Sequence, residues 1–366
     1  MPGPLNRRTF LKRAAATAAG LAAAGSIPTG IAEAASRATR QESDRRNLTL
    51  ICWQGYADPS FVRPFEQQNN CKVTATYAGS SDEMVAKWIA GHGNTYDLVS
   101  ASGDATRRFM NSRTLLPVDV SKLKNFDKLF PKFYTPVWNT RNGQHYGVSF
   151  TWGPDVLIYD TRVFKKAPTS WHVIYDPAYK GKLSTADNPI TIADVALYLG
   201  FKDCYNLTDA QLAKCKAQLQ EQKPLLRKYW GGSGDLEDAF IHREVVASNA
   251  WPLMTNDLRK AHYPIGETIP REGATGWADT WMISKNSPNV DLAMKWIDYM
   301  IGPQGQKGVI DVTAYSGASR SAIPLLGPAR VKALHMDNLS FFDELHMWAE
   351  PANYAKWQKI WNDVKA

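Results

Sequence analysis

The chain has 366 residues, of which 44% are hydrophobic, 21% charged and 11% aromatic. That composition excludes a disordered polypeptide and a small disulfide scaffold, and the length favours two compact domains. The formal charge of +8 is concentrated at one end: residues 1–34 hold Arg7, Arg8, Lys12 and Arg13 against Glu33, residues 35–46 hold four Arg against Glu42 and Asp44, and only +3 is left for the rest. With no clustered basic face, nucleic-acid binding is not expected.

The first segment reads as an address. Asn6-Arg7-Arg8-Thr9-Phe10-Leu11-Lys12 precedes a weakly apolar Ala/Gly run, and Ala32-Glu33-Ala34 offers a small-x-small cleavage pattern. Paired arginines followed by Phe-Leu-Lys predict a twin-arginine export signal over residues 1–34, with a polar tail over residues 35–47. No Cys near the cleavage pattern offers a lipid anchor. A periplasmic destination follows. That compartment permits disulfides, and Cys204 and Cys215 are spaced to close a short loop, so a bridge between them is one reading.

From residue 48 the pattern is α/β. Leu48–Trp53 is a β-rich run closed by Gly55, and Asp58-Pro59 opens a helix with Phe61 and Phe65 on one face. Lys72–Tyr77 alternates as a second strand. Ser80-x-x-Glu83 caps a helix with the stripe Met84, Val85, Trp88 and Ile89, and Tyr96–Ala101 is a third strand. Strands alternating with helices predict a parallel sheet with helical crossovers, in which ligands lie beyond the carboxyl ends of the strands. Further on, Tyr146–Asp160 is extended, and residues 190–199 and 208–229 are helical. Glu244–Ala250 is a strand ending at Trp251-Pro252, Gly276–Trp281 precedes a short strand, and Ser287-Pro288 caps a helix carrying Leu292, Trp296 and Met300.

Catalytic signatures are missing. There is no Walker A motif, GxGxxG, HExxH or GxSxG, and no paired His at metal-ligand spacing. An enzyme is therefore not expected, and no cofactor is implied. The competitor from a different class is an exported twin-arginine redox enzyme, because that route carries prefolded cofactor proteins.

The positive signal is Trp and carboxylate at strand ends. Of thirteen Trp, Trp88, Trp296, Trp357 and Trp361 fall on helical stripes and read as core. Trp53, Trp152, Trp251 and Trp277 end predicted strands or mark crossovers. Trp277 lies two residues before Asp279, on the same face of an extended segment. Aromatic faces beside a carboxylate suit an alkylammonium: the ring contributes about 0.5–2 kcal/mol and the charge-assisted hydrogen bond about 1.5–3 kcal/mol.

Trp53-x-x-Tyr56, Tyr96-Asp97-Leu98-Val99 with Ser102, Tyr146-Gly147-Val148 before Trp152-Gly153, Lys180-Gly181-Lys182-Leu183 before Asp187, Trp251, and Gly276-Trp277-x-Asp279 occur in one order. The ordered set resembles the spermidine/putrescine-binding proteins of bacterial ABC importers across residues 48–364. The resemblance implies a type II two-lobe periplasmic binding fold with the ligand cleft between lobes. Lobe one would span 48–152 and 278–323, and lobe two 153–277 and 324–366. It implies a monomer that captures a small cationic amine and docks on a membrane permease with its ATPase. Trp53, Ser102, Trp251, Trp277, Asp279 and Tyr315 match family ligand positions, as does Asp187 in the second lobe; Gln54 and Trp152 join the candidates from their places at the ends of predicted strands.

The departures bear on the ligand. The family usually has a second acid three residues after Asp187, where this chain has Ile190, and a Tyr where this chain has Asp104. Asp155 stands near the hinge where the family is usually neutral. Putrescine or a longer polyamine is the main expectation, with Asp104 as a substitute acid. 4-Aminobutyrate is the competitor, and it would need a cation such as Arg107 or Arg320 in the cleft. A ferric-ion site is not expected, since no Tyr-Tyr pair occurs.

Overall fold

The structure, a computed structural model, describes residues 46–366. The expected export signal lies outside the described residues. The first strand, Arg46–Cys52, begins two residues before Leu48.

Local chemistry sets the elements much as expected. Asp58 caps helix Pro59–Asn69 by accepting from Ser60 N, with Pro at the first turn and Phe61 and Phe65 buried. Ser80 caps helix Ser81–Ala90 through Glu83 N. Met84, Val85 and Trp88 of that helix face the core, but Ile89 is 53% exposed and does not belong to the stripe. Thr208 and Gln211 form a reciprocal capping box on helix Asp209–Gln222. That helix stops well short of residue 229. Pro224 cannot donate to a continuing helix, and the chain turns into strand Leu226–Trp230. Trp88, Trp296, Trp357 and Trp361 are all buried, as their helical spacing predicts.

Cys204 and Cys215 are not bridged. Both are buried free thiols, and burial pushes each up to about 12. They pack as small apolar side chains.

Two sheets organise the fold. The first runs in the order Ser316–Gly317, Val148–Pro154, Thr275–Ser284, Leu98–Ala101, Arg46–Cys52, Cys71–Tyr77, with two short strands joined to Thr275–Ser284. The second runs Leu226–Trp230, Leu183–Ala186, Ala247–Ala250, Val156–Asp160, Ile265–Thr268. The predicted parallel pairing holds at Leu50↔Leu98 and Ile51↔Val99. The sheets are nevertheless mixed. Thr275–Ser284 is antiparallel to both of its long neighbours, and Val156–Asp160 is antiparallel to its two.

The antiparallel strands carry the chain between the lobes. Pro154 ends a strand of the first sheet and Val156 begins one of the second, with Asp155 alone between them. The return runs from Thr268 in the second sheet to Thr275 in the first. Asp155 N donates to Thr275 O at 2.8 Å, which ties these two crossings together. A third passage comes through His346–Met347, which pairs with Thr275 and Gly276, before helix Tyr354–Lys365.

At the sheet edges remote from these crossings the lobes meet again. A Cβ on Gly79, which follows the edge strand Cys71–Tyr77, would lie 2.0 Å from the carbonyl oxygen of Gly231, which follows the edge strand Leu226–Trp230. Only glycine at 79 allows that approach.

Candidate functional site

Between the lobes lies a narrow cavity, with room of only about 10 Å³, lined by Trp53, Tyr56, Ser102, Trp251, Trp277, Asp279, Tyr315 and Trp348. Six of these eight are aromatic, one is a carboxylate and none is basic.

Each enters by its element. Trp53 and Tyr56 flank a tight turn closed by Tyr56 N donating to Trp53 O. Its third residue, Gly55, has φ +87°, a conformation that favours glycine. Ser102 follows Leu98–Ala101, and Trp251 follows Ala247–Ala250. Trp277 and Asp279 alternate onto one face of Thr275–Ser284. Opposite Asp279 the neighbouring strand bulges: Thr151 pairs with Asp279 and Ser149 with Thr280, so Phe150 is the extra residue. Phe150 then packs edge-on against Tyr56, with ring centroids 4.9 Å apart. Gly153 is the cross-strand partner of Trp277, and its lack of a side chain lets the indole lie over that strand.

The rings form a continuous wall. Trp53 meets Trp251 at 5.7 Å between centroids, Trp251 meets Trp277 at 6.2 Å, and Trp277 meets both Tyr315 at 5.1 Å and Trp348 at 5.9 Å. Three of these four contacts are edge-to-face and the fourth is tilted.

Asp279 is 1% exposed. Tyr56 OH donates to one of its oxygens and Ser102 OH to the other. The indole N–H of Trp53 is buried and without a hydrogen-bond partner, yet it lies near enough to favour the Asp279 charge. Burial dominates and pushes the carboxyl up to about 7, against the pull of those donors. An arriving cation would replace the lost water and restore the charged form.

The other sequence candidates are placed elsewhere. Gln54 points outward and lines a surface pocket with Asp58, Tyr77 and Lys260. Trp152 pairs with Ala278, so it takes the face opposite Asp279. It is fully buried and donates to Gly317 O at 3.2 Å. Asp104 is fully buried on helix Gly103–Asn111, 3.8 Å from Arg108 Nη2, and does not line the cavity. Burial pushes its carboxyl up to about 6 against the attraction of Arg108. Asp187 is held by Lys365 Nζ at 2.5 Å and by Trp361 Nε1 at 2.9 Å. Arg107 is exposed and Arg320 bonds the carbonyl of Asp127, so neither reaches the cavity.

Sequence reasoning left out two lining residues. Tyr56 stood within the strand-end segment that the sheet rule indicates. Trp348 follows a two-residue strand whose pairing depends on a partner 71 residues earlier, Thr275↔His346, and no local pattern marks it.

Among the described residues no group of His, Cys, Asp and Glu could hold a metal ion, and no helix is long and apolar enough to cross a membrane.

The profile of the bacterial extracellular solute-binding proteins matches residues 60–336. The spermidine/putrescine-binding periplasmic protein of Escherichia coli K12 is 27% identical over 351 residues, 94% of this chain and 93% of that protein. The putrescine/cadaverine-binding protein of Pseudomonas aeruginosa is 26% identical over 308 residues, 79% of this chain and 84% of that protein. The spermidine/putrescine substrate-binding protein of Streptococcus pneumoniae superposes with a TM-score of 0.71 at 19% identity. It covers 87% of this chain and 98% of its own, a likeness of fold.

Proposed function

The chain belongs to the bacterial extracellular solute-binding proteins, and we propose that it captures a short aliphatic amine of the polyamine class between its lobes for an ABC importer. The observation that carries this reading is the lone carboxylate, Asp279, enclosed by six aromatic rings. The ammonium sits against Asp279 and the ring faces, and the alkyl chain lies along the remaining rings once the lobes part to admit it. The relatives named above supply the amine class. The solute leaves unchanged, and the closed protein docks on a permease coupled to an ATPase.

In this reading lobe one comprises 48–152 with 278–323, and lobe two 153–277 with 324–366. The protein acts in the periplasm as a monomer after export by the twin-arginine route. A carboxylate-bearing solute such as 4-aminobutyrate is less well supported, because no basic side chain lines the cavity.

The direct test is a thermal melt of residues 35–366 against putrescine, cadaverine, spermidine, spermine and 4-aminobutyrate. Ligand at 100 times its Kd adds about 2.7 kcal/mol, a rise of several degrees. A rise with the amines supports the reading. A rise with 4-aminobutyrate alone, or with none, removes the amine assignment.

Two mutations sharpen it. Gly79→Ala should hold the lobes apart at the Gly231 carbonyl without touching either lobe's interior. Amine affinity should fall about tenfold or more while ligand-free Tm stays within about 2 °C, and small-angle scattering should show no compaction on ligand addition. Compaction equal to the parent's would refute the contact as a closure requirement. Asp187→Ala should leave amine affinity within about threefold, since Lys365 already holds that carboxylate. Its cost is to stability, about 0–1 kcal/mol for a partly exposed ion pair. Calorimetric titration checks both halves, and a large loss of affinity would return Asp187 to the site.

A further inference from the structure

Behind the Trp251 and Trp348 wall lie two more buried carboxyls, Asp155 and Asp194. Thr275 Oγ1 is 2.6 Å from an oxygen of Asp155 and 2.7 Å from one of Asp194. It also accepts from Trp348 Nε1 at 3.2 Å. A hydroxyl has one proton to give and two lone pairs to receive with. One lone pair takes the indole N–H and the proton goes to one carboxylate. The second short contact is therefore a hydrogen bond only if the other carboxyl carries a proton and donates it to Thr275.

The position of this cluster gives it mechanical consequence. Asp155 is the single residue of the first crossing, and Thr275 ends the second. Trp348 lies on the third passage and forms part of the cavity wall. Asp194 projects from helix Thr191–Tyr198 of the second lobe, where Asn249 Nδ2 lies 3.5 Å from its other oxygen.

The titratable groups that face the pair are Tyr175, Cys204, Tyr205 and Tyr315. Burial holds the proton on each well above neutral pH, and no basic side chain is among them. Strand pairing also brings the basic residue His346 beside Thr275. Burial raises the proton affinity of both carboxyls, and the charge of Asp194 raises that of Asp155 further.

We infer that Asp155 and Asp194 share one proton across the Thr275 hydroxyl, and that this proton keeps Trp348 seated in the cavity wall and the three crossings drawn together. Its loss would put two charges on one hydroxyl, and their repulsion would part the crossings and loosen the wall. The pair are positioning residues that set an alkaline limit on amine capture. This rests on reading the aromatic cavity as the amine site.

The test is Asp194→Asn, whose amide can donate to Thr275 at any pH. Asp155→Asn is the second variant should the first not fold. Putrescine affinity is measured by calorimetry from pH 7 to 9, where an alkylammonium resembling a lysine side chain stays charged. The parent should weaken about tenfold or more across that range. Asp194→Asn should match the parent within about threefold at pH 7 and stay flat. A flat parent profile, or a fall that persists in both variants, overturns the inference while leaving the amine reading intact. Ligand-free melting gives a readout that needs no amine. A proton held more tightly by the folded state stabilises it at low pH, and that contribution is lost as the pair ionises. Parent Tm should therefore fall relative to Asp194→Asn between pH 6 and 9. Superimposable curves would refute the shared proton whether or not an amine binds.

Discussion

Asp279→Asn should weaken putrescine binding by about thirtyfold to a few thousandfold. Removing one partner of a buried charge pair costs about 2–5 kcal/mol, and each 1.4 kcal/mol is tenfold in affinity. The substitution isolates the charge. An Asn side chain has the same shape, its oxygen still accepts from one hydroxyl, and the other hydroxyl can turn to accept from the amide. Tyr56 and Ser102 therefore keep a partner, and Asp279 is too deeply buried for water to substitute for the lost charge. Ligand-free Tm at pH 7 should move by no more than a few degrees. Calorimetric titration of parent and variant with putrescine decides the matter. An affinity within threefold of the parent's would mean that the ammonium is held elsewhere.

Acid should weaken capture through the same carboxyl, by about tenfold per pH unit below about 7 and about a hundredfold by pH 5. Burial holds the Asp279 carboxyl at about 7, raised from 3.8. An ammonium binds the ionised form, so below about 7 each binding event must first expel a proton. In the ligand-free protein the sign is the reverse. The raised proton affinity stabilises the fold below about 3.8, and that contribution is lost as pH rises through about 7. Titrations at pH 6 in buffers of different ionisation enthalpy should detect the released proton. Asp279→Asn should show neither the release nor the slope. An acid slope surviving in that variant would assign the titration to another group.

The helices and the strand ends were legible because their determinants are local. Asp58-Pro59, Ser80-x-x-Glu83 and Thr208-x-x-Gln211 specify helix starts through side chains that reach only two or three residues. The i, i+2 spacing of Trp277 and Asp279 specifies a shared face on any extended segment, and both reach the cavity. Pro224 also lay in plain view, yet periodicity carried the expected helix past it.

Other parts of the site were settled by partners far along the chain. Asp187 has the residue type and strand-end position of a ligand contact, but Lys365, 178 residues later, takes its charge. Trp152 lies near the end of one strand and Trp277 near the start of its neighbour, but their pairing register puts them on opposite faces. Trp348 enters the wall only because a two-residue strand pairs with Thr275 and Gly276. Asp155 and Asp194, 39 residues apart in sequence, become one titrating unit only when Thr275 comes between them.

The sequence by itself therefore determined the α/β alternation, the helix starts at Asp58, Ser80 and Thr208, the Trp and carboxylate chemistry, and the family, whereas the helix expected to start at Ser287-Pro288 begins at Val290 after Asn289. Each rests on short-range patterning or on the order of motifs along the chain. Only the tertiary structure decided which acids face the cavity, which are held by a distant lysine, and which meet at one hydroxyl. A carboxylate's role follows from its burial and its neighbours' charges, and both are fixed by strand register and by where the lobes meet.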